Sequence, residues 1–310
     1  IRLKELFIGE VIKRKRKELG LTQEELCEGI CEPSTISRIE SGKQVPAKNK
    51  LDALLQRLDL PGDRYYALLS RNELEISNLQ SQIISCNVSK NNRDGLQYLE
   101  KLEGIVSEDD HLIRQFILRS KTAFGYLDGE DIRPYTFDEK EKMLFEALYL
   151  TVPKFDIEEI DNNFYTIEEI KIINQIALNY SNSGKNKKAI DVYNQLLKYI
   201  EKHFCNMEQT SGIFILISYN YSRILCLEKT PKQAIGVAEN GRKACIQFGK
   251  SEWLAGLLVV LADCLHQLGC YNESKERFLE SYYMYRSLDD YKNAEIVKGH
   301  AKELLNFIIN

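Results

Sequence analysis

A chain of 310 residues, 44% hydrophobic and 28% charged, is long enough for two domains or one large one and has the composition of an ordinary globular protein. No apolar run reaches the ~18–20 residues that cross a bilayer, which excludes a membrane-spanning helix; the best candidate, Ala255 to Ala262, lies inside an amphipathic pattern. The net charge of −4 argues against nucleic acid over the whole surface, but residues 1–64 hold 13 Lys and Arg against 11 Asp and Glu while the rest hold 29 against 35, so any basic face is local to the N-terminus.

The charged N-terminal stretch runs straight into helical periodicity and does not fit a signal peptide; with Ile1 first, a trimmed initiator Met is expected. A first helix is predicted from about Leu3 to Leu19, ending at Gly20. It carries Lys13-Arg14-Lys15-Arg16-Lys17, the densest basic run, of which one face at most can point at a partner. Thr22-Gln23-Glu24-Glu25 is a capping box and starts a second helix that ends near Gly29. Pro33-Ser34 starts a third, which stops at Ser41-Gly42. A fourth runs from about Ala47 to Leu58, and Pro61-Gly62 opens a fifth.

From about residue 70 the period changes. Ile173, Ile176, Ala177, Tyr180, Gly184, Ala189 and Tyr193 have the spacing of a tetratricopeptide repeat, two antiparallel helices of ~34 residues with small residues where they cross. Weaker copies follow at Tyr221, Ser222, Leu225, Ala234 and Ala238, and at Leu258, Leu261, Ala262, Leu265, Gly269, Ser274 and Phe278. Residues 73–105 and 109–150 read as two degenerate copies, and Tyr291 to Ile309 as a capping helix. The prediction is an all-α chain. Residues 1–66 form a five-helix domain, and residues 67–310 form a right-handed α-superhelix of about five degenerate repeats with a C-terminal cap. A non-repeating helical bundle is the alternative.

Gly9 to Leu58 resembles the phage-repressor (Xre/Cro) helix-turn-helix family. The resemblance is carried by Val11-Ile12-Lys13-Arg14-Lys15-Arg16, Gly20-Leu21-Thr22-Gln23-Glu24-Glu25-Leu26 and Ser34-Thr35-Ile36-Ser37-Arg38-Ile39-Glu40-Ser41-Gly42, with Pro46 and Leu51 completing it. Leu26, Ile30, Ile36 and Ile39 supply the apolar contacts between helices two and three. The outer face of helix three offers Ser34, Thr35, Ser37 and Arg38, short hydrogen-bonding groups plus one bidentate reader of guanine or phosphate. Lys43, Lys48 and Lys50 flank that helix as phosphate contacts. The resemblance implies that Gln23 reaches a backbone phosphate and that Arg16 and Glu40 form an internal salt bridge.

A helix-turn-helix followed by degenerate repeats resembles the Rgg/PlcR/PrgX (RRNPP) group of cytoplasmic receptors for short secreted peptides. The resemblance implies a homodimer on palindromic double-stranded DNA, a linear signalling peptide in the concave face of the repeats, and a quorum-sensing role. Concave-face positions fall at Lys171, Asn174, Gln175 and Leu178, at Leu216, Tyr219, Asn220 and Arg223, and at Gly256, Val259, Val260 and Asp263. An Asn amide offers donor and acceptor together and can bracket a peptide unit without reading its side chain, which selects Asn174 and Asn220. Arg223 suits a peptide carboxylate and Tyr219 a side chain, and Arg114 with Lys121, seven apart on one face, suit a C-terminus. The other reading is that these are solvated surface and that the repeats dock a protein partner through an exposed apolar patch.

Catalytic chemistry, cofactors and metals are not expected. Ala244 to Ser251 fits a relaxed phosphate-loop pattern, but a helical stretch from Lys232 to Phe248 leads into it and Gly249 stands where a helix C-cap belongs. His203 with Cys205, and Cys264 with His266, are two apart and diverge on a helix, so four zinc ligands do not converge. The eight cysteines, at 27, 31, 86, 205, 226, 245, 264 and 270, form no CxxC and fit free thiols in a reducing cytoplasm.

Overall fold

Helix starts are set by short-range signals. Thr22 and Thr136 each open a capping box with the glutamate three residues on, Glu25 and Glu139. Asn91, Asp110 and Asp290 accept from the backbone N–H three residues on, and Pro33 and Pro231 stand in the first helical turn. Each signal satisfies, or does without, an N–H that the helix itself leaves unpaired.

The computed structural model describes residues 2–60, 71–204 and 207–309, and these form two compact units, Ile1–Asn179 and Tyr180–Asn310. The first begins with α1 (Arg2–Glu18), α2 (Gln23–Cys27), α3 (Pro33–Glu40) and α4 (Lys48–Arg57). It continues with α5 (Arg71–Ser89), α6 (Asn92–Ile105), α7 (His111–Phe124), a hairpin of β1 (Tyr126–Asp128) and β2 (Asp131–Arg133), and α8 (Phe137–Tyr149). Helix α9 (Ile167–Asn182) runs across the division. The second unit holds α10 (Asn186–His203), α11 (Met207–Leu227), α12 (Pro231–Phe248), α13 (Ser251–Gln267), α14 (Tyr271–Ser287) and α15 (Tyr291–Leu305).

Beyond the predicted N-terminal group, α5 packs on α6, α7 on α8, α11 on α12 and α13 on α14, and α15 packs on α14 as a final single helix. The fifth N-terminal helix, opened at Pro61-Gly62, and the expected boundary at 66/67 lie outside the described residues, as does Cys205. The hairpin was not predicted. Its antiparallel register pairs Leu127 with Ile132, around Gly129 with φ 66°. The loop is Gly129-Glu130, and a Gly in its first position is a hairpin signal, diluted here because the flanking strands are only three residues each. Gly249 is the left-handed C-cap of α12, as its sequence context implies, so the phosphate-loop pattern is a helix–turn–helix junction.

In the N-terminal group the core is Ile12, Leu26, Ile30, Ile36, Ile39, Leu51, Leu54, Leu55 and Leu58, with Leu112 and Phe164 from beyond the group packed against it. In the second unit, Ala262, Phe278, Tyr282, Ala294, Val297 and Ala301 join α13, α14 and α15. Two buried serines of α14 bond carbonyls of α13: Ser274 Oγ donates to Ala262 O at 2.8 Å and Ser281 Oγ to Ala255 O at 2.9 Å. Small side chains at that crossing let the two backbones approach. No helix among the described residues is long and apolar enough to cross a membrane.

Candidate nucleic-acid interface and the repeat helices

Helix α3 is held by its apolar face and presents its polar one. Ile36 and Ile39 are buried, whereas Ser34, Ser37 and Arg38 are exposed and Thr35 is half-buried. Arg38 has no ion-pair partner among the described residues. The helix closes with Gly42 at φ 68° and with Lys43 N–H donating to Arg38 O at 2.8 Å, which places the exposed Lys43 directly after the polar face.

Behind α3, Arg16 and Glu40 form a bidentate pair, Nε to Oε1 at 2.6 Å and Nη2 to Oε2 at 2.9 Å, while Arg16 Nη1 donates to Leu21 O at 2.7 Å. Both side chains are buried, so the pair ties α1 to α3. Burial works against the Glu40 charge, but the hydrogen bonds from Arg16 and Gln23 outweigh it and hold the carboxyl below its ordinary value. Gln23 Nε2 donates to Glu40 Oε2 at 2.8 Å. That bond orients the amide at the start of α2 and leaves its second N–H as a donor. Lys48 pairs with Asp52 at 2.7 Å along α4.

The first unit also contains a junction that sequence reasoning missed. Arg57, at the end of α4, is 5% exposed; its Nη1 donates to Leu26 O and Glu28 O, and its Nη2 to Thr151 O at 3.1 Å and Glu169 Oε1 at 3.0 Å. Glu169 is fully buried and also accepts from Thr166 N at the start of α9. Gly29, at φ 70°, lies so close to Thr151 that a Cβ would stand 2.1 Å from Thr151 Cα. Asn49 donates to Asp110 at 3.1 Å, and Gln56 Oε1 accepts from Ile167 N at 3.1 Å. The available signal was one charged residue inside the apolar stripe Leu54, Leu55 and Leu58.

Among the repeat residues of the first unit, Lys121 pairs with Glu103 at 2.6 Å and Arg114 donates to Glu108 O at 3.2 Å, so both face α6 and the loop after it. Lys171 lies 3.7 Å from Glu168, which also binds Arg119. Asn174 is 7% exposed. In the second unit Tyr219, Asn220 and Arg223 share α11 but not one surface. Tyr219 and Arg223, four apart, are half-buried, and the Tyr219 ring packs 6.2 Å from Trp253 and against Gly256, where a Cβ would come to 3.0 Å. Asn220, 7% exposed, instead makes a hydrogen bond with the Tyr193 hydroxyl, so its amide serves the packing of α10 on α11. Trp253 was not singled out in the sequence, although it stands three residues before Gly256 on the same helical face.

An exposed polar recognition helix behind a buried Arg–Glu tie, followed by paired helices with small residues at their crossings, defines a helix-turn-helix protein with a helical-repeat C-terminal part. A helix-turn-helix family model matches residues 12–64, and the RNPP family C-terminal domain matches residues 80–305. The chain belongs to the RNPP family. Among solved structures it is similar to Bacillus thuringiensis PlcR in complex with the peptide PapR7 and DNA (TM-score 0.58, 20% identity, 98% of this chain and 100% of that one). It is also similar to apo PlcR (0.58, 18%, 93% and 98%) and to ComR from S. thermophilus in complex with DNA and its signalling peptide ComS (0.50, 14%, 96% and 99%). At these identities the likeness is one of fold. No curated protein matches the sequence.

Proposed function

We propose that the chain is a cytoplasmic DNA-binding transcriptional regulator whose head, residues 1–66, reads a palindromic operator as a homodimer. Its repeat domain, residues 67–310, binds a short linear signalling peptide that changes DNA binding or dimer geometry. Its role is regulatory and not catalytic. The observation that carries the DNA reading is the outer face of α3, with Ser34, Ser37 and Arg38 exposed while its inner face is buried. Thr35, Gln23, Lys43 and Lys48 complete the contact set, the lysines and Gln23 on phosphate and the α3 residues on base edges. The PlcR and ComR structures, each with DNA and a peptide, support the same division of labour here.

For the peptide, Tyr219 and Arg223 are the contacts best supported in the second unit, since they are half-exposed on one face of α11. Lys171, Asn174, Arg114, Lys121 and Asn220 remain in the proposed set, the first four in the first unit and Asn220 behind its bond to Tyr193. Exposed Tyr283, Tyr291 and Ile296 on α14 and α15 support a surface for a second copy. The test is selection of operators from random duplex DNA by the full-length protein. Enrichment of an inverted repeat, lost with Arg38→Ala, supports the reading, and failure to enrich any sequence overturns it. Native mass spectrometry of protein from its own host tests the ligand, with a bound short peptide expected and a larger protein partner overturning that half of the reading.

A further inference from the structure

The five consecutive cations of α1, Lys13 to Lys17, meet different fates. Arg16 is buried against Glu40. Arg14 and Lys15 both turn to Glu18, at 3.8 Å and 3.6 Å. Lys13 and Lys17 are exposed and have no ion-pair partner among the described residues. Four residues apart, they stand on one face of the helix, about 6 Å from each other along its axis.

That face borders the end of α3. At Gly9, one turn before Lys13, the backbones of α1 and α3 nearly touch, and a Cβ there would stand 2.0 Å from Ile39 O. Lys13 and Lys17 continue the same row along α1. With Glu10, Val11, Arg14 and Glu40 they line an open cleft of about 460 Å³, room enough for a phosphodiester. Glu40 is neutralised by Arg16 and also accepts from Gln23 Nε2 at 2.8 Å. Ser37, three residues before Glu40, is its neighbour on the surface of α3 and is exposed. The cleft therefore adjoins both the amide at the start of α2 and the Ser37 edge of the polar face of α3. Glu10 stands a turn before Lys13, and its negative charge bounds the site at that end.

We propose that Lys13 and Lys17 hold two successive phosphates of the operator strand that passes Gln23, extending the DNA contact from α2 and α3 onto α1. An ammonium is a compact charge with donors only, and it binds a phosphate oxygen without reading sequence. The separation of the two lysines along the helix is on the scale of one backbone step. Arg14 reaches the edge of the cleft but is engaged by Glu18 and is not part of the site. Contacts of this kind fix where the head sits along the duplex and add affinity to every sequence alike. The site rests on the reading of α3 as the helix that enters the operator, and supplies the grip on the strand beside it.

The test uses the full-length protein and the duplex enriched by selection, titrated at several salt concentrations. Lys13→Ala with Lys17→Ala should reduce the slope of log affinity against log salt by about 2, about 1 for each lysine. Lys13→Arg with Lys17→Arg should keep the wild-type slope, and Arg14→Ala should leave it nearly unchanged. Ethylation of operator phosphates should block wild-type binding at two successive positions that no longer matter to the double alanine variant. Both lysines are exposed, so its circular dichroism spectrum and melting point should match wild type. A wild-type slope in the double alanine variant, an equal fall in Arg14→Ala, or an ethylation pattern that the variant does not change each overturns the site. In those cases binding that is lost with Arg38→Ala still upholds the operator reading. A wild type that enriches no duplex overturns that reading, and the site with it.

Discussion

Arg16 and Arg38 lie on the same small head and meet opposite fates. Arg16 is held by both oxygens of a buried Glu40, whereas Arg38 is exposed on α3. Arg16→Ala is expected to destabilise the protein by about 3–5 kcal/mol, because it strands a buried carboxylate. Arg38→Ala should change stability by no more than about 0.5 kcal/mol and abolish operator binding. Paired denaturation and binding measurements check both, and loss of fold in Arg38→Ala would make that residue structural. A third residue titrates: His300 of α15 binds Asp263 of α13 at 2.7 Å, and this hydrogen bond, opposed by burial and aided by the charges of Asp263 and Glu303, raises the imidazole above its ordinary value. A raised value means that the contribution is full below about 6.5 and is lost as pH rises through the folded value. The melting-temperature gap between wild type and His300→Gln should therefore be largest near the acid end of that window and close on the alkaline side. A gap independent of pH would show that the ring acts by packing alone.

Elements in the first unit are joined by a buried charge and a glycine. Arg57→Ala leaves Glu169 buried without its guanidinium and is expected to cost about 3–5 kcal/mol, while Arg57→Met with Glu169→Met should recover most of that loss. Denaturant unfolding of the two variants decides it; equal losses would mean that the bonds to Leu26, Glu28 and Thr151 carry the junction. Gly29→Ala meets two penalties, the left-handed backbone at about 1–2 kcal/mol and a Cβ 2.1 Å from Thr151 Cα, which only backbone movement can relieve. It should destabilise more than Thr22→Ala, which removes one cap for about 1 kcal/mol. Hydrogen exchange of the amides in α4 and α9 reads the same contact locally.

For the whole molecule, residues 1–64 hold 13 Lys and Arg against 11 Asp and Glu and the rest 29 against 35, so the proposed phosphate contacts belong to the head and operator affinity should fall steeply with salt. Lys43→Ala should weaken all sequences alike and reduce the logarithmic salt slope by about 1. Tyr219→Ala with Arg223→Ala should spare DNA binding in the absence of ligand and abolish the response to it. Asn174→Ala with Asn220→Ala is expected to remove that response too. For Asn220 the loss should come with lower stability, because the variant leaves the Tyr193 hydroxyl without that partner. A fully stable double variant with a normal response would remove the asparagines from the contact set.

The sequence by itself determined the first four helices of the head, the internal Arg16–Glu40 pair by family resemblance, and the recurrence of helix pairs after residue 70. Capping boxes, prolines and glycine stops act over three or four residues, and helical periodicity identifies a buried face whatever it packs against. Tertiary structure alone decided which polar residues face outward. Adjacent positions predicted to share the concave face part company, Tyr219 half-exposed beside Gly256 and Trp253 and Asn220 against Tyr193, and a seven-residue spacing that suggested a clamp puts Lys121 on Glu103. The Arg57 junction was equally out of reach. It joins residues far apart in the chain, and periodicity says which side of a helix is covered without saying what covers it.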